Sequence, residues 1–182
     1  REMIEMSSKT PSSFNLQPWN LIVLRDKESK SKLKSLAWGQ PKVEEAPVIL
    51  VVLADKSGWR EGNATLERNW DEMVKSGSMS DEQRDWFIQA TTNLYGENGE
   101  KELAFGVKNA AFFSMSLMYS ATELGLESHP MDGFDHKGVK ELLNVPDNYW
   151  IPLLLAVGYK KDDVETHPAK WRKSVDEIIV EF

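Results

Sequence analysis

The stretch from Glu102 to Leu124 restricts the possible folds more than any other part of this chain. Leu103, Ala104, Phe105, Val107, Ala110, Ala111, Phe112, Phe113, Met115, Leu117, Met118, Ala121 and Leu124 leave it almost no polar face. Gly125 follows it as a helix-ending C′ glycine does, so the pattern predicts one long helix. A helix that is apolar all round is covered on all sides. The chain has 182 residues, and one domain of that size rarely encloses about six turns of such a helix alone. Part of its surface is therefore expected to meet a second subunit. Ala110, Ala111, Ser114 and Ser116 are small enough to let another helix come close.

The other elements are read around this helix. Arg1 to Lys9 looks like the end of a helix, and Leu21–Leu24 is a short strand. Asp26 to Leu36 is a charged helix with Leu33 and Leu36 inward. Trp38 to Lys42 breaks it, and Val43 to Ala46 adds one turn. Val48–Leu53, apolar at every position, reads as a strand in the middle of a sheet covered on both faces. From about 57 to 100 the chain turns polar and glycine-rich, and predicts two or three helices that leave the sheet. Ser80 with Gln83 forms a capping box there. Trp59, Trp70 and Trp86 in this excursion either anchor it by local packing or line a pocket for a flat substrate. Leu126–Phe134 is extended and then turns, Asp135–Leu143 is a short helix, and Ile151–Tyr159 is a second core strand. The chain closes on Ile178-Ile179-Val180-x-Phe182, a strand with no hairpin partner in sight. No repeat or low-complexity tract divides residues 1–182, so a single domain is expected.

Composition removes several function classes. A net charge of −7, with no Lys/Arg cluster longer than two residues, argues against a nucleic-acid partner. No apolar run approaches the roughly 20 residues needed to cross a bilayer, so no membrane role is expected. There is no cysteine, hence no disulfide and no thiolate. His129, His136 and His167 lack the spacing of a zinc site. With no signal-peptide pattern visible, the cytoplasm is the expected compartment.

What chemistry the chain can do is concentrated at Pro11–Trp19, Pro-Ser-Ser-Phe-Asn-Leu-Gln-Pro-Trp. Its prolines resist helix and push the preceding residue towards an extended conformation. The result is a stiff, uncharged loop offering Ser12, Ser13, Asn15 and Gln17 side by side, which suits a planar ligand with polar edges. Ordinary capping and turning account for these residues equally well.

Pro11-Ser12-Ser13-x-Asn15-x-Gln17-Pro18-Trp19 also resembles the flavin-contacting loop of the nitroreductase family, whose members are FMN-dependent NAD(P)H oxidoreductases. The resemblance extends to three further stretches: Gly39-Gln40-Pro41-Lys42, Pro130-Met131-Asp132-Gly133-Phe134 and Lys170-Trp171-Arg172. It implies an α+β fold, with a central mixed or antiparallel sheet flanked by helices. It also implies an intertwined homodimer with C-terminal strand exchange. Pro11, Ser12, Ser13, Asn15 and Gln17 would approach the flavin from one subunit. Lys42 would face the N1–C2=O edge, where two-electron reduction places negative charge that a fixed cation stabilises. Gln40 would support it. Pro130, Met131, Asp132 and Gly133 would cross near flavin N5, with the Gly133 N–H as donor. Lys170 and Arg172, on the same side of an extended segment, would take the phosphate. The family's N-terminal Arg-Arg-Ser-type motif has no counterpart after Arg1, which implies either a segment upstream or weakened phosphate binding. The implied activity is ping-pong hydride transfer from NADH or NADPH through flavin N5 to nitroaromatics, quinones or related small acceptors. The alternative is a flavin-binding or storage module of the same fold without turnover.

Overall fold

The apolar run at Val48–Leu53 sits at the centre of the fold. The computed structural model describes residues 1–161 and 168–180. In chain order it has helix α1 (Glu2–Ser7), strand β1 (Trp19–Leu24), helices α2 (Lys27–Leu36) and α3 (Pro41–Glu45), and strand β2 (Val48–Asp55). Helices α4 (Ala64–Lys75), α5 (Arg84–Tyr95) and α6 (Gly99–Glu123) follow, then strand β3 (Glu127–Met131) and helix α7 (His136–Leu142). Strands β4 (Tyr149–Trp150) and β5 (Leu154–Gly158) and helix α8 (Val175–Ile178) complete the described residues. The strands form one sheet in the order β1-β2-β5-β3, with β4 paired to the end of β2, and every pairing is antiparallel. The protein is thus α+β, with an antiparallel rather than a mixed sheet.

Alternate residues of β2 point to opposite faces, and each set has its own layer. Ile49, Val51 and Leu53 pack with Leu33 of α2, Val43 of α3 and Val139 of α7. Leu50, Val52 and Ala54 face the other way, towards Ala110, Phe113 and Leu117 of α6. A third cluster lies beyond the sheet, where Trp59, Leu66, Trp70 and Phe87 bury themselves with Leu16 and Phe105. Local packing is therefore the role of Trp59 and Trp70, and burying each such side chain is worth roughly 2–3 kcal/mol. Trp86 is exposed. The Ser80–Gln83 capping box forms as expected.

Three expectations are corrected. The strand expected at Ile151–Tyr159 begins only at Leu154. Between Ala54↔Trp150 and Val51↔Leu154, two residues of β2 face three of the partner, a one-residue bulge that contains Pro152. Proline lacks the N–H a regular ladder needs, and a bulge accommodates it. Lys42 is not in a break but inside α3, whose first residue is Pro41, well suited to a position where the N–H goes unused. The expected terminal strand is absent as far as Val180: Val175–Ile178 is a helical turn set by a Ser174–Glu177 capping box, while Glu181 and Phe182 lie outside the described residues. As expected, one chain does not cover α6 on all sides. Phe112, Met115 and Tyr119, spaced as one stripe, are 50 %, 42 % and 68 % exposed. The helix ends as expected, Gly125 taking φ +69° while its N–H and that of Leu126 close on Thr122 and Ala121. Among the described residues no helix is long and apolar enough to cross a membrane.

Candidate active site

The loop before β1 is tightly determined. Phe14, Asn15 and Gln17 have φ of 51°, 55° and 45°, a left-handed conformation costing roughly 1–2 kcal/mol for each residue with a Cβ. Gln17 was expected to be extended because Pro18 follows it. It is left-handed instead, and its N–H donates to Ser12 Oγ at 2.9 Å. Such strain persists only where the surroundings over-determine it. Here the surroundings are two buried asparagines. Asn109 of α6 accepts from the Ser13 N–H at 2.9 Å and from Ser13 Oγ at 3.3 Å. Asn69 of α4 donates to the Phe14 carbonyl at 3.0 Å and accepts from Asn15 Nδ2 at 2.7 Å. Phe14 packs edge-on against Phe87 and Tyr95, and Leu16 is fully buried. Asn15 and Gln17 are left with their amides at the surface, joined to each other.

The loop's exit is fixed by Asp55 at the end of β2. The Asp55 N–H donates to the Pro18 carbonyl at 3.0 Å. Its buried carboxylate accepts from the Ser57 N–H and Oγ, Asn63 Nδ2 and Asn148 Nδ2. These neutral donors satisfy the charge, so Asp55 is a structural hub. Burial, and then the Asp55 charge, push the Tyr149 phenol above its ordinary range.

A second group of residues gathers where α3 meets the turn after β3. Gln40 Nε2 donates to the Gly133 carbonyl at 2.7 Å. The Trp38 ring lies against Gly133, so a Cβ there would fall 2.6 Å from Trp38 Cε3. Trp38 is 79 % exposed. Lys42 borders a cleft of about 390 Å³ that reaches His129 and Tyr159. Its Nζ pairs with Glu45 at 3.0 Å, and this hydrogen-bonded cation holds the Glu45 carboxyl below its usual range. Helix α3 is itself tethered to α2. Buried Lys30 donates to the carbonyls of Glu44 and Ala46, and Lys34 pairs with Glu44.

Within one chain these two groups do not meet. The loop joins the Asp55 end of β2 and rests on α6, where Trp19 also stacks on Phe113. Lys42 lies at the Val48 end, in the α2–α3–α7 layer on the opposite face of the sheet. Seven residue steps of strand separate the two ends of β2 by about 23 Å. One chain therefore holds Ser13 and Lys42 apart.

The model of the nitroreductase family matches residues 1–159. The chain belongs to the nitroreductase family. Among relatives it is similar to the NADH dehydrogenase of Thermus thermophilus, 36 % identical over 165 residues, which are 90 % of this chain and 76 % of that protein. It is also similar to MhqN of Bacillus subtilis, named for NAD(P)H nitroreductase activity, 32 % identical over 98 % of this chain and 84 % of that one. Among solved structures, a nitroreductase-type protein from Exiguobacterium sibiricum in complex with FMN superposes with a TM-score of 0.82. It is 25 % identical over 99 % of this chain and 84 % of its own.

Seen as a nitroreductase, the chain places its expected site residues unevenly. Pro11, Ser12, Ser13, Asn15 and Gln17 share one loop, while Gln40 bonds Gly133 at the start of the helix that carries Lys42. Pro130 and Asp132 lie at the surface beside Gly133, but the Met131 side chain is buried in the core, so only its backbone can face a ligand. Lys170 and Arg172 are exposed, and Arg172 Nη1 donates to the carbonyls of Lys170 and Trp171. The sequence reading missed Asn69, Asn109 and Trp38. Asn109 was detectable as a lone amide inside an apolar helix. Nothing in the sequence tied Asn69 to a loop 54 residues away.

Proposed function

We propose that this chain is an FMN-dependent oxidoreductase that uses NADH or NADPH to reduce nitroaromatics, quinones or related flat acceptors, and that it acts as a homodimer. The observation that carries this is the division of the family's flavin-contacting residues between opposite faces and opposite ends of one sheet. Two copies bring an uncharged polar edge and a cation to the same ring, and one copy does not. The exposed stripe of Phe112, Met115 and Tyr119 supplies apolar surface for that pairing, as do the exposed Trp171, Val175, Ile178, Ile179 and Val180 of the C-terminal segment.

The residues suit the cofactor. Pro11, Ser12, Ser13, Asn15 and Gln17 supply neutral donors and acceptors for a ring with polar edges. Gln40, Lys42 and the turn of Pro130, Met131, Asp132 and Gly133 supply a cation and a backbone N–H. The space beside Gly133 is closed by Trp38, so the backbone alone can approach a ring there. Lys170 and Arg172 supply two cations for a phosphate. FMN, when bound, accepts hydride at N5 from reduced nicotinamide and passes reducing equivalents to a second substrate, which is why the two substrates alternate at one site. Lys42 leaves Glu45 to oppose the charge of the reduced ring, and Gly133 holds its N–H as a fixed donor. Residues 1–182 act as one domain, and the cytoplasm is its compartment.

The purified protein, reconstituted with FMN, is expected to be yellow and to bleach anaerobically with NADH or NADPH. Colourless protein that takes up no FMN ends this reading. Protein that binds FMN but is reduced by neither nucleotide is a flavin carrier.

A further inference from the structure

We propose that Asn69 and Asn109 are positioning residues: together they hold the loop at Ser13–Asn15, where Phe14 and Asn15 are left-handed, and that course sets how tightly FMN is bound. The inference rests on the flavin reading above. The loop's local hydrogen bonds, from Asn15 N to the Ser12 carbonyl and from Leu16 N to the Ser13 carbonyl, are of a kind that right-handed turns also make. They do not select positive φ. At Ser13, Phe14 and Asn15 the bonds that do come from far along the chain, from residues 69 and 109, which are 8 % and 0 % exposed, while Gln17 is held locally by Ser12 Oγ.

Each carboxamide is oriented by its other end. Asn109 Nδ2 donates to the Phe105 carbonyl at 2.7 Å, which turns Oδ1 towards Ser13. Asn69 Nδ2 donates to the Phe14 carbonyl, which leaves Oδ1 to accept from Asn15 Nδ2. The Asn15 amide is thereby turned so that its own Oδ1 accepts from Gln17 Nε2 at 3.4 Å. A relay of amides thus runs from the buried side of α4 to two side chains proposed to face the cofactor. Only a carboxamide donates and accepts at the required places: aspartate cannot donate, and leucine does neither. The polar excursion at 57–100 gains a purpose from this. Trp70 and Leu66 bury α4, Asn63 caps it and ties it to Asp55, and the helix so anchored presents Asn69 to the loop.

The test compares Asn69→Leu and Asn109→Leu with Leu24→Ala, a core variant at the far end of β1. Amide hydrogen exchange is measured on the flavin-free proteins, and FMN affinity by quenching of flavin fluorescence. In the two asparagine variants, exchange at Ser13 and Asn15 is expected to speed up tenfold or more, and the Kd for FMN to rise tenfold or more. Leu24→Ala is expected to lower Tm without changing either. Asn69→Ser and Asn109→Ser, which leave room for a water, serve if the leucine forms do not fold. Unchanged exchange at both amides overturns the clamp. Faster exchange with unchanged Kd overturns its link to FMN. Faster exchange in a protein whose wild type binds no FMN supports the clamp and defeats the flavin reading instead.

Discussion

At the scale of single residues, Lys42 and Glu45 form a matched pair with opposite expected effects. Both are largely solvent-exposed, so their mutual attraction is weak. Lys42→Gln is expected to lower the midpoint potential of bound FMN, because the reduced ring loses its cation. Glu45→Gln frees Lys42 from its competitor and should raise the potential. Spectroelectrochemical titration of the two variants reads both signs, and shifts in the same direction contradict the proposed place of Lys42. Gly133 makes a different prediction. A methyl group there collides with Trp38, yet that ring is exposed and can swing aside. Gly133→Ala should therefore leave Tm nearly unchanged while weakening FMN binding. A large loss of stability with normal affinity would mean that the glycine serves packing alone.

At the scale of elements, α6 has to lie close to the end of β2 for Asn109 to reach Ser13. Gly106 makes that approach possible: a Cβ there would lie 3.2 Å from the Asp55 carbonyl oxygen. Alanine in a helix interior normally gains close to 1 kcal/mol over glycine. Here the neighbour is backbone held by the Asp55 network and cannot give way, and overpacking costs roughly 1–3 kcal/mol. Gly106→Ala is expected to destabilise by about 1 kcal/mol net, a fall in Tm of about 2–4 °C, and a rise in Tm would show that the approach is looser. The same helix carries the stripe of Phe112, Met115 and Tyr119. Replacing Phe112 and Tyr119 with lysine places charge in an interface core and should yield monomers that no longer retain FMN. Light scattering and absorbance in the flavin bands report the two losses separately.

At the scale of the whole molecule, the sheet holds Ser13 and Lys42 apart, so the proposed site takes one residue from each of two chains. Mixing Ser13→Trp and Lys42→Glu chains tests this. Each is expected to be nearly inactive alone, because both sites of its homodimer are damaged. In a mixed dimer one site receives both defects and the other receives none. With random pairing half the dimers are mixed, and each has one sound site, so recovery of about a quarter of wild-type activity is expected. No recovery after verified subunit exchange would mean that one chain supplies both Ser13 and Lys42 to a site.

Much of this was legible in the sequence. The uninterrupted apolar run of β2 marked a central strand, Gly125 marked a helix end, and the Pro11–Trp19 loop carried the family resemblance. These are local properties, set by periodicity and by the φ each residue tolerates. Tertiary structure decided the rest. It held Phe14 and Asn15 left-handed through buried amides from α4 and α6, and put Gln17 left-handed against the preference Pro18 imposes. It split the strand at Pro152 through a sheet register that hydrophobicity does not reveal, whereas the turn at Val175–Ile178 follows a Ser174–Glu177 capping box that the local sequence already carried. It also put Ser13 and Lys42 on opposite faces of one sheet, a fact of chain path that no pattern of neighbouring residues contains.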